Sequence, residues 1–288
     1  MYTFKLGHNA FSDLSQDEFA AYYKLGPYSP GVPTTTSNMK SSPSLDEFDN
    51  IATTARRALH DQVSLPDYVN WVQMGGVTPV KNQGSCGSCW AFSTTGSLEG
   101  ARFVKTGELV ALSEQNLLDC DHVDLACNGG LMDNAFKFDE KSGGLCSEED
   151  YPYEAKRNTI CNPNNCTDVP GSIVSTFIDV PPGDANALIS AIAMQPISIA
   201  IEASQFVFQF YKIGVINDDS CGSRGSIDHG VLAVGYGTDL DSQEPYLLVK
   251  NSWGPAWGAE GYVKLGRKSK NEFGICSVLK MASFPVVE

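Results

Sequence analysis

The chain has 288 residues, of which 42% are hydrophobic and 19% charged, enough to bury a core of ordinary globular size in one or two domains. Its 20 basic and 34 acidic residues give a net charge of -14, which repels phosphate backbones and anionic membrane surfaces, so neither nucleic acid nor a membrane is an expected partner. No apolar run is long enough for a transmembrane helix, and the first residues do not resemble a signal peptide.

The nine cysteines are numerous for a reducing cytosol, where free thiols at this density are a liability. They favour an oxidising route for the protein. The odd count leaves one thiol over if the rest pair, and such a thiol is an intermolecular bridge, an unpaired core residue or a nucleophile. The identity of the leftover cysteine therefore bears directly on function.

The first 64 residues fall into two stretches of different composition. Residues 1–28 look ordered and partly helical, because Ser15 can cap a helix with Glu18 placed three residues on. Residues 29–64 carry prolines, Ser/Thr runs and the dibasic pair Arg56-Arg57, which predicts a flexible linker accessible to proteases. From Leu65 onward the composition is that of a packed domain.

The packed domain is predicted to be helical in its first half and sheet in its second. Residues 89–105 contain no proline, space apolar side chains as on one helix face, and run into Gly107, which predicts a helix. Beyond residue 170 come short β-prone runs bounded by Gly, Pro and Asn, at 197–201, 231–234, 246–249 and 261–265. These suit an antiparallel, barrel-like sheet, so the expected fold class is α+β.

Chemistry concentrates in the run QGSCGSCWAFS at 83–93. A thiol in the first turn of a helix meets unpaired backbone N–H groups and the positive end of the helix dipole, both of which favour thiolate over thiol. Cys89 is therefore placed to be a nucleophile. Cys86 and Cys89 also form a C-x-x-C, which is compatible with a redox dithiol or half of a zinc site. A zinc site needs a second close pair, and the remaining cysteines are poorly spaced for one.

Several motifs together resemble the papain and cathepsin L family of cysteine peptidases. The run at 86–90 matches C-G-[SA]-C-[WY], the motif that in this family is followed by a His and an Asn about 130 to 150 residues downstream. Further similar segments are LPDYVNW at 65–71, CNGG at 127–130, YPY at 151–153, DHG at 228–230 and NSWG at 251–254. Upstream, GHNAFSD at 7–13 resembles the G-x-N-x-F-x-D element of the family's propeptide. The longer helical element that normally precedes it is missing, so we expect an N-terminally truncated proenzyme.

The resemblance implies a papain-like two-lobe fold. A helical lobe, roughly 74–178, is expected to pack against an antiparallel β-barrel-like lobe, roughly 179–280, with the active-site cleft between them. Residues 1–64 are expected to be a partial propeptide, formed by an inhibitory segment and a linker, and residues 65–288 the peptidase domain.

Only four histidines are available as a catalytic base. His8 and His60 lie in the region that would be removed, and His122 lies in a polar loop between two cysteines. His229 is followed by an apolar run that puts it at the edge of a strand, where it can face Cys89 across a groove. His229 is therefore expected to serve as acid and base in a peptide hydrolase that passes through a thioester acyl-enzyme.

A Cys/His pair needs a third group that fixes the imidazole, and the side-chain oxygen of Asn251 can do so without adding charge. Asp228 is a rival, but neighbours on a strand point to opposite faces, so we prefer Asn251. The resemblance implies that Trp253 covers this hydrogen bond, and that the Gln83 amide and the backbone N–H of the nucleophile hold the oxyanion. No metal and no organic cofactor is required.

Substrate-binding residues are assigned by their position in the resemblance. Gly129 and Gly130 allow close backbone approach, so an extended peptide can pair there as an added strand. The pocket for the side chain two residues before the cut, P2, is expected to be lined by apolar residues, namely Leu131, Met132, Ala200, Ile227, Gly230 and Met281. A charged P2 side chain would be buried there without a partner, so Leu, Val or Phe is expected. No occluding-loop insertion or mini-chain is visible, which favours an endopeptidase.

Four disulfides are implied by family position, with one cysteine, Cys89, left free. The expected pairs are Cys86–Cys127, Cys221–Cys276, Cys120–Cys161 and Cys146–Cys166, the last two being preferred among three connectivities. A glycosylation sequon begins at Asn165, but its middle residue is a cysteine, which disfavours occupancy.

The expected partners are protein and peptide substrates, the protein's own propeptide as inhibitor, and cystatin-like inhibitors. A monomer in the secretory pathway is expected, in a lysosome or vacuole or outside the cell. An alternative is an inactive homologue that only binds peptides, against which the intact catalytic set argues. The propeptide offers its own cleavage site, because Val63 would occupy P2 for a cut before Leu65. Arg56-Arg57 is a rival site for a different processing enzyme.

Overall fold

The computed structural model describes residues 2–23, 65–162, 166 and 168–288. The predicted linker at 29–64, with Arg56-Arg57 and Val63, and the sequon residue Asn165 lie outside the described residues. Within the described ranges, no helix is both long and apolar enough to cross a membrane.

Residues 2–23, here called the N-terminal segment, contain strand β1 (Thr3–Leu6) and helix α1 (Gln16–Tyr23). The helix begins at a reciprocal cap. The Ser15 hydroxyl accepts from the Glu18 N–H at 3.3 Å, and the Glu18 carboxylate accepts from the Ser15 N–H at 2.9 Å. The helix expected from the spacing of Ser15 and Glu18 is therefore confirmed.

The long helix predicted at the start of the packed domain is confirmed, and shorter helices follow it. It is α2 (Cys89–Thr106), and it ends where Gly107 takes the left-handed φ of 77° and its N–H donates to Phe103 O. The others are α3 (Glu114–Cys120), α4 (Met132–Ser142), α5 (Ala185–Met194) and α6 (Phe206–Gln209). A 3-10 turn lies at Ile275–Ser277.

The strands of the described residues form one sheet. After β1 they are β2 (Val69–Asn70), β3 (Val174–Asp179), β4 (Ile197–Ile201), β5 (Tyr211–Ile216), β6 (His229–Thr238), β7 (Pro245–Lys250), β8 (Tyr262–Gly266) and β9 (Met281–Val287). Their order is β1-β5-β8-β7-β6-β4-β9-β3, and β2 pairs with β6.

The four β-prone runs of the sequence correspond to β4, β6, β7 and β8, which confirms the α+β class. Two details differ from the expected antiparallel barrel. β5 and β8 pair in parallel, and the sheet runs from β1 to β3 without closing on itself. β1 and β3 are the two ends of the strand order and do not pair with each other, so the sheet stays open.

Helix α2 packs directly on the sheet. A Cβ added at Gly96 would lie 2.7 Å from Leu232 Cδ2, so no larger residue fits there without a shift. The Ser93 hydroxyl donates to Val231 O at 2.7 Å, which satisfies a polar group in the buried contact. Small residues and hydroxyls therefore let the helix approach β6 closely.

Apolar side chains form two cores. One surrounds α2, α3 and α4, and the other joins the sheet to α5 and to the N-terminal segment. Ala200, Ile227 and Met281 pack with the helical core although β4, the chain before β6, and β9 supply them. The two cores therefore meet at these three residues.

The N-terminal segment is held to the sheet by its backbone. β1 pairs antiparallel with β5, as an added edge strand. The buried Gln209 side chain donates from Nε2 to the carbonyl oxygens of Phe11 and Leu14, at 3.1 Å each. The Gln209 carbonyl oxygen accepts from Asn9 Nδ2 at 2.7 Å. Gln209 thus makes three hydrogen bonds to the N-terminal segment.

All nine cysteines lie in the described part of the chain. Eight form the disulfides Cys86–Cys127, Cys120–Cys161, Cys146–Cys166 and Cys221–Cys276, the same four pairs that family position implies. Cys89 is the free thiol among them. Because Cys86 is bridged, the C-x-x-C is neither a redox dithiol nor half of a zinc site.

Candidate functional site

Cys89 is the first residue of α2 and lies against β6. A Cβ added at Gly230 would be 3.2 Å from the Cys89 carbonyl oxygen. The strand that begins with His229 therefore passes directly beside the first turn of the helix. Both side chains line the same cleft, as the sequence predicted.

Tyr153 fixes the chain ahead of α2, a role that the sequence did not indicate. Its hydroxyl donates to Gln83 O at 2.8 Å and lies 2.6 Å from Ser88 Oγ. Its ring meets Phe92 edge-on, at 4.8 Å between centroids. The YPY motif was a visible signal, but a tyrosine in a motif does not specify which backbone atoms it meets.

The imidazole of His229 is oriented by Asn251. His229 Nε2 lies 2.7 Å from Asn251 Oδ1, and that oxygen also accepts the Ser252 N–H at 2.8 Å. Because Oδ1 is an acceptor, Nε2 donates, and the neutral ring then carries its lone pair on Nδ1. Nδ1 is buried and has no hydrogen-bond partner among the described residues. The ring is therefore prepared to accept a proton at Nδ1.

Trp253 covers this hydrogen-bonded pair. Its ring stacks on His229 at 4.7 Å with an interplanar angle of 27°. The same indole packs against three phenylalanine rings, with centroid distances of 5.8 Å to Phe11, 5.1 Å to Phe19 and 5.5 Å to Phe208; Phe11 and Phe19 meet it edge-on. The N-terminal segment thus reaches the indole that packs on the histidine, whereas Trp253 does not line the cleft.

Asp228, the rival partner of the imidazole, makes a different contact. Its Oδ1 accepts the Ala203 N–H at 2.7 Å. Burial raises the pKa of its carboxyl. The hydrogen bond to His229 belongs to Asn251, in agreement with the alternation of side chains along a strand.

Burial dominates the protonation of the two reactive groups. It raises the pKa of the Cys89 thiol to about 11, against the N–H groups of Gly230 and Trp90, which lower it. It lowers the pKa of His229 to about 4, against the Asn251 hydrogen bond, which raises it. Burial thus disfavours the charged form of each group, whereas the N–H groups at the helix start favour the Cys89 thiolate and the Asn251 hydrogen bond favours the His229 imidazolium.

The Gln83 side chain is fully buried. Ser252 Oγ donates to its Oε1 at 2.7 Å, which fixes the amide so that Nε2 faces Cys86 O at 2.9 Å. That bond uses one of the two Nε2 protons. Gln83 does not line the cleft in this state.

The cleft has a volume of about 290 Å³ and passes between the helices and the sheet. It is lined by all eight residues assigned to substrate other than Trp253, namely Gly129, Gly130, Leu131, Met132, Ala200, Ile227, Gly230 and Met281. Val123, Asp124 and Leu125 line it too and were not anticipated. Ala200 and Met281 are paired across β4 and β9, which explains how residues 81 positions apart meet.

Residues 124–131, here called the wall loop, form one side of the cleft. Gly129 has a φ of 108°, which favours glycine. A Cβ on Gly130 would lie 2.6 Å from the Trp90 ring and 2.8 Å from Asp124 Cγ. Trp90 Nε1 donates to Ala126 O at 3.0 Å. The loop is therefore packed tightly against the start of α2.

Comparison with known proteins extends over the whole chain. A family profile described as Papain family cysteine protease matches residues 65–286. Cysteine protease XCP2 of Arabidopsis thaliana is 44% identical over 281 residues, which cover 97% of this chain and 73% of that protein. Cathepsin L1 of Drosophila melanogaster is 44% identical over 288 residues, which cover 99% of this chain and 72% of that protein.

Solved structures show the same likeness. The Amb a 11 cysteine protease, a major ragweed pollen allergen, in its proform, matches with a TM-score of 0.83 at 35% identity and covers 100% of this chain and 83% of its own. A recombinant stem bromelain precursor matches with a TM-score of 0.79 at 33% identity, covering 99% of this chain and 84% of its own.

Proposed function

Because the chain belongs to the papain family of cysteine proteases and is a peptide hydrolase, we propose that Cys89 is its nucleophile, His229 its acid and base, and Asn251 the orienting residue. One observation carries this assignment. The hydrogen bond of His229 Nε2 to Asn251 Oδ1, at 2.7 Å, leaves Nδ1 as a buried acceptor in the cleft that Cys89 lines.

The Cys89 thiol gives its proton to His229 Nδ1, which places opposite charges side by side in a poorly solvated site. Their mutual attraction offsets the desolvation that disfavours either charge alone. The thiolate attacks the peptide carbonyl, and the imidazolium protonates the leaving amine as the C–N bond breaks. His229 then takes a proton from water, which attacks the thioester and releases the carboxylic acid product with the thiol restored.

The oxyanion of the tetrahedral intermediate is held by two donors. The Cys89 backbone N–H is one, and the Gln83 amide is the other, through the Nε2 proton that Cys86 O does not use. The hydrogen bond from Ser252 Oγ to Gln83 Oε1 supports this assignment, because it fixes the amide so that Nε2, and not Oε1, is available to the oxyanion. Each donor of this kind contributes about 10²-fold or more to the rate.

Substrate specificity follows from the apolar end of the cleft. Leu131, Met132, Ala200, Ile227 and Met281 present no charged group to a P2 side chain. An Arg at P2 would lose its hydration without gaining a partner. We therefore assign a preference for Leu, Val or Phe at P2, and we assign an endopeptidase because no occluding-loop insertion or mini-chain is visible in the sequence.

Residues 1–64 are proposed to be the partial propeptide and 65–288 the peptidase domain, with a helical lobe at about 74–178 and a β lobe at about 179–280. The docking of the N-terminal segment on β5 and Gln209 supports an inhibitory role. Four disulfides support maturation in the secretory pathway. A lysosome, a vacuole or the exterior is the proposed destination, with cystatin-like proteins as inhibitors of a monomer.

Turnover of paired dipeptidyl fluorogenic substrates tests the function. The processed enzyme should hydrolyse a substrate with Leu at P2 and discriminate against Arg at P2, and Cys89→Ala should abolish hydrolysis without changing the melting temperature. Equal cleavage of the two substrates would refute the pocket assignment, and an active Cys89→Ala variant would refute the nucleophile.

Processing needs its own experiment. The Cys89→Ala precursor is mixed with processed enzyme at acidic pH, and the N-terminus of the product is sequenced. A start near Leu65 supports self-type processing. A precursor that stays uncut, or is cut only after Arg57, rules it out.

A further inference from the structure

Asp124 ties the two ends of the wall loop together beneath the cleft. Its Oδ1 accepts the Leu131 N–H at 3.0 Å and Asn134 Nδ2 at 3.0 Å. The carboxyl carbon lies under Gly130, where an added Cβ would come within 2.8 Å of it. The backbone at Gly129 and Gly130, on which the sequence predicts that an extended peptide pairs, therefore rests on this side chain.

Asp124 has a second carboxyl group, that of Asp121, as a neighbour. Asp124 Oδ2 and Asp121 Oδ2 are both buried, and neither has a hydrogen-bond donor among the described residues. Asp121 Oδ1 is already used, since it accepts the Val123 N–H at 2.8 Å and the Asp124 N–H at 3.4 Å. The two carboxyl groups interact, because the charge of Asp121 raises the pKa of the Asp124 carboxyl. A proton between them would satisfy both oxygens.

Among the described residues, no basic side chain donates a hydrogen bond to the Oδ2 atom of either Asp121 or Asp124. α4 presents the neutral amide of Asn134, and α2 presents the indole of Trp90 beside the loop. His122 bonds to Arg157 at 2.8 Å on the surface. The carboxylate of Asp119, at the end of α3, is occupied by four other hydrogen bonds.

We propose that Asp124 is a positioning residue for peptide binding, and that it holds the wall loop by sharing one proton with Asp121. The proposal rests on the function proposed above, because it concerns the wall against which the substrate would lie. The physical reason is that two adjacent buried carboxylates repel each other, so one group of such a pair stays protonated.

The consequence is a pH dependence of substrate binding. Burial raises the pKa of the Asp124 carboxyl to about 7, the Asn134 hydrogen bond lowers it, and the charge of Asp121 raises it. A raised carboxyl pKa stabilises the folded loop while the proton is bound, and this stability is lost as pH rises towards and through about 7. Two facing carboxylates then repel, and the Leu131 N–H loses its fixed place. KM should rise while kcat stays the same.

The experiment compares four proteins, each produced as the full chain and processed in the same way. They are the native enzyme, Asp124→Asn, Asp121→Asn and the matched control Asp139→Asn. Asp139 is a buried carboxyl in α4 whose pKa burial also raises to about 7, and it accepts the Val174 N–H at 2.7 Å, away from the wall loop. KM and kcat are measured with a non-titrating P2-Leu substrate from about pH 5 to about pH 8, on active-site-titrated enzyme.

Native KM should rise about fivefold between pH 7 and pH 8, because the protonated fraction of a group with a pKa near 7 falls by that factor. Asp124→Asn should hold KM constant, since its amide donates permanently to Asp121 while its oxygen keeps the Leu131 N–H. Asp121→Asn should do the same from the other side, and Asp139→Asn should follow the native curve. An Asp124→Ala variant, which lacks the oxygen, should show a raised KM at every pH.

Parallel KM curves for native and Asp124→Asn would overturn the inference, and so would a flattened curve for Asp139→Asn. If the native enzyme failed to hydrolyse any peptide substrate, the proposed function would fall first, together with the inference. Hydrolysis with a pH-independent native KM would overturn the inference alone.

Discussion

Replacing Asn251 by Ala removes the acceptor of the His229 hydrogen bond and, with it, the acceptor of the Ser252 N–H. The 2.7 Å contact with Nε2 is lost, while the Trp253 ring, stacked at 4.7 Å, continues to shield the imidazole from water. A buried N–H left without an acceptor costs about 1–3 kcal/mol, and 1.4 kcal/mol is a factor of ten in rate. We therefore expect kcat to fall about 10- to 100-fold. The pKa of His229, already lowered to about 4 by burial, should fall further, because the Asn251 bond raises it.

The assay is kcat and KM at about pH 6 on active-site-titrated enzyme, with thermal melting as a check on folding. Asp228→Asn is the matched control, since it lies next to His229 but accepts the Ala203 N–H, which an amide oxygen can still accept. Its activity should remain within about threefold of native. An Asn251→Ala enzyme with native kcat, or a control that loses as much activity, would refute the reasoning.

Three further changes test other parts of the account. Met281→Glu should place a carboxylate in the P2 pocket and raise kcat/KM for P2-Arg substrates relative to P2-Leu by about tenfold or more, which a paired-substrate assay measures. Gln209→Ala removes two 3.1 Å hydrogen bonds to the N-terminal segment, so this precursor should lose inhibition in a zymogen activity assay, whereas Gln195→Ala should not. Gly100→Ala should lower stability by about 1–3 kcal/mol in urea unfolding, because the new Cβ would collide with the ring of Pro196.

Local pattern was enough for the elements that local chemistry determines. The capping box at Ser15, the stop at Gly107 and the β-branched run at 197–201 each lie where the sequence predicts them. The parallel pairing of β5 with β8 was out of reach, since pairing depends on which strands meet in space. The N-terminal strand at 3–6 was missed for the same reason, because it is an edge strand completed by β5.

Side-chain alternation favoured Asn251 over Asp228, and the geometry agrees. The burial of Cys89, which raises the pKa of its thiol, did not follow from sequence, because it is set by the packing of the sheet against the helix start. Asp124 was likewise overlooked. Two acidic residues three positions apart resemble an ordinary solvated loop, and their burial becomes visible only once the wall loop folds over them.

The central claim, that Cys89 is the nucleophile, is tested most directly by titration with a thiol alkylating agent. Activity and the extent of labelling are followed together, and peptide mapping locates the label. The account predicts that activity falls to zero as one equivalent is incorporated at Cys89, the free thiol among nine described cysteines. Retention of full activity by enzyme that is quantitatively labelled at Cys89 would contradict it.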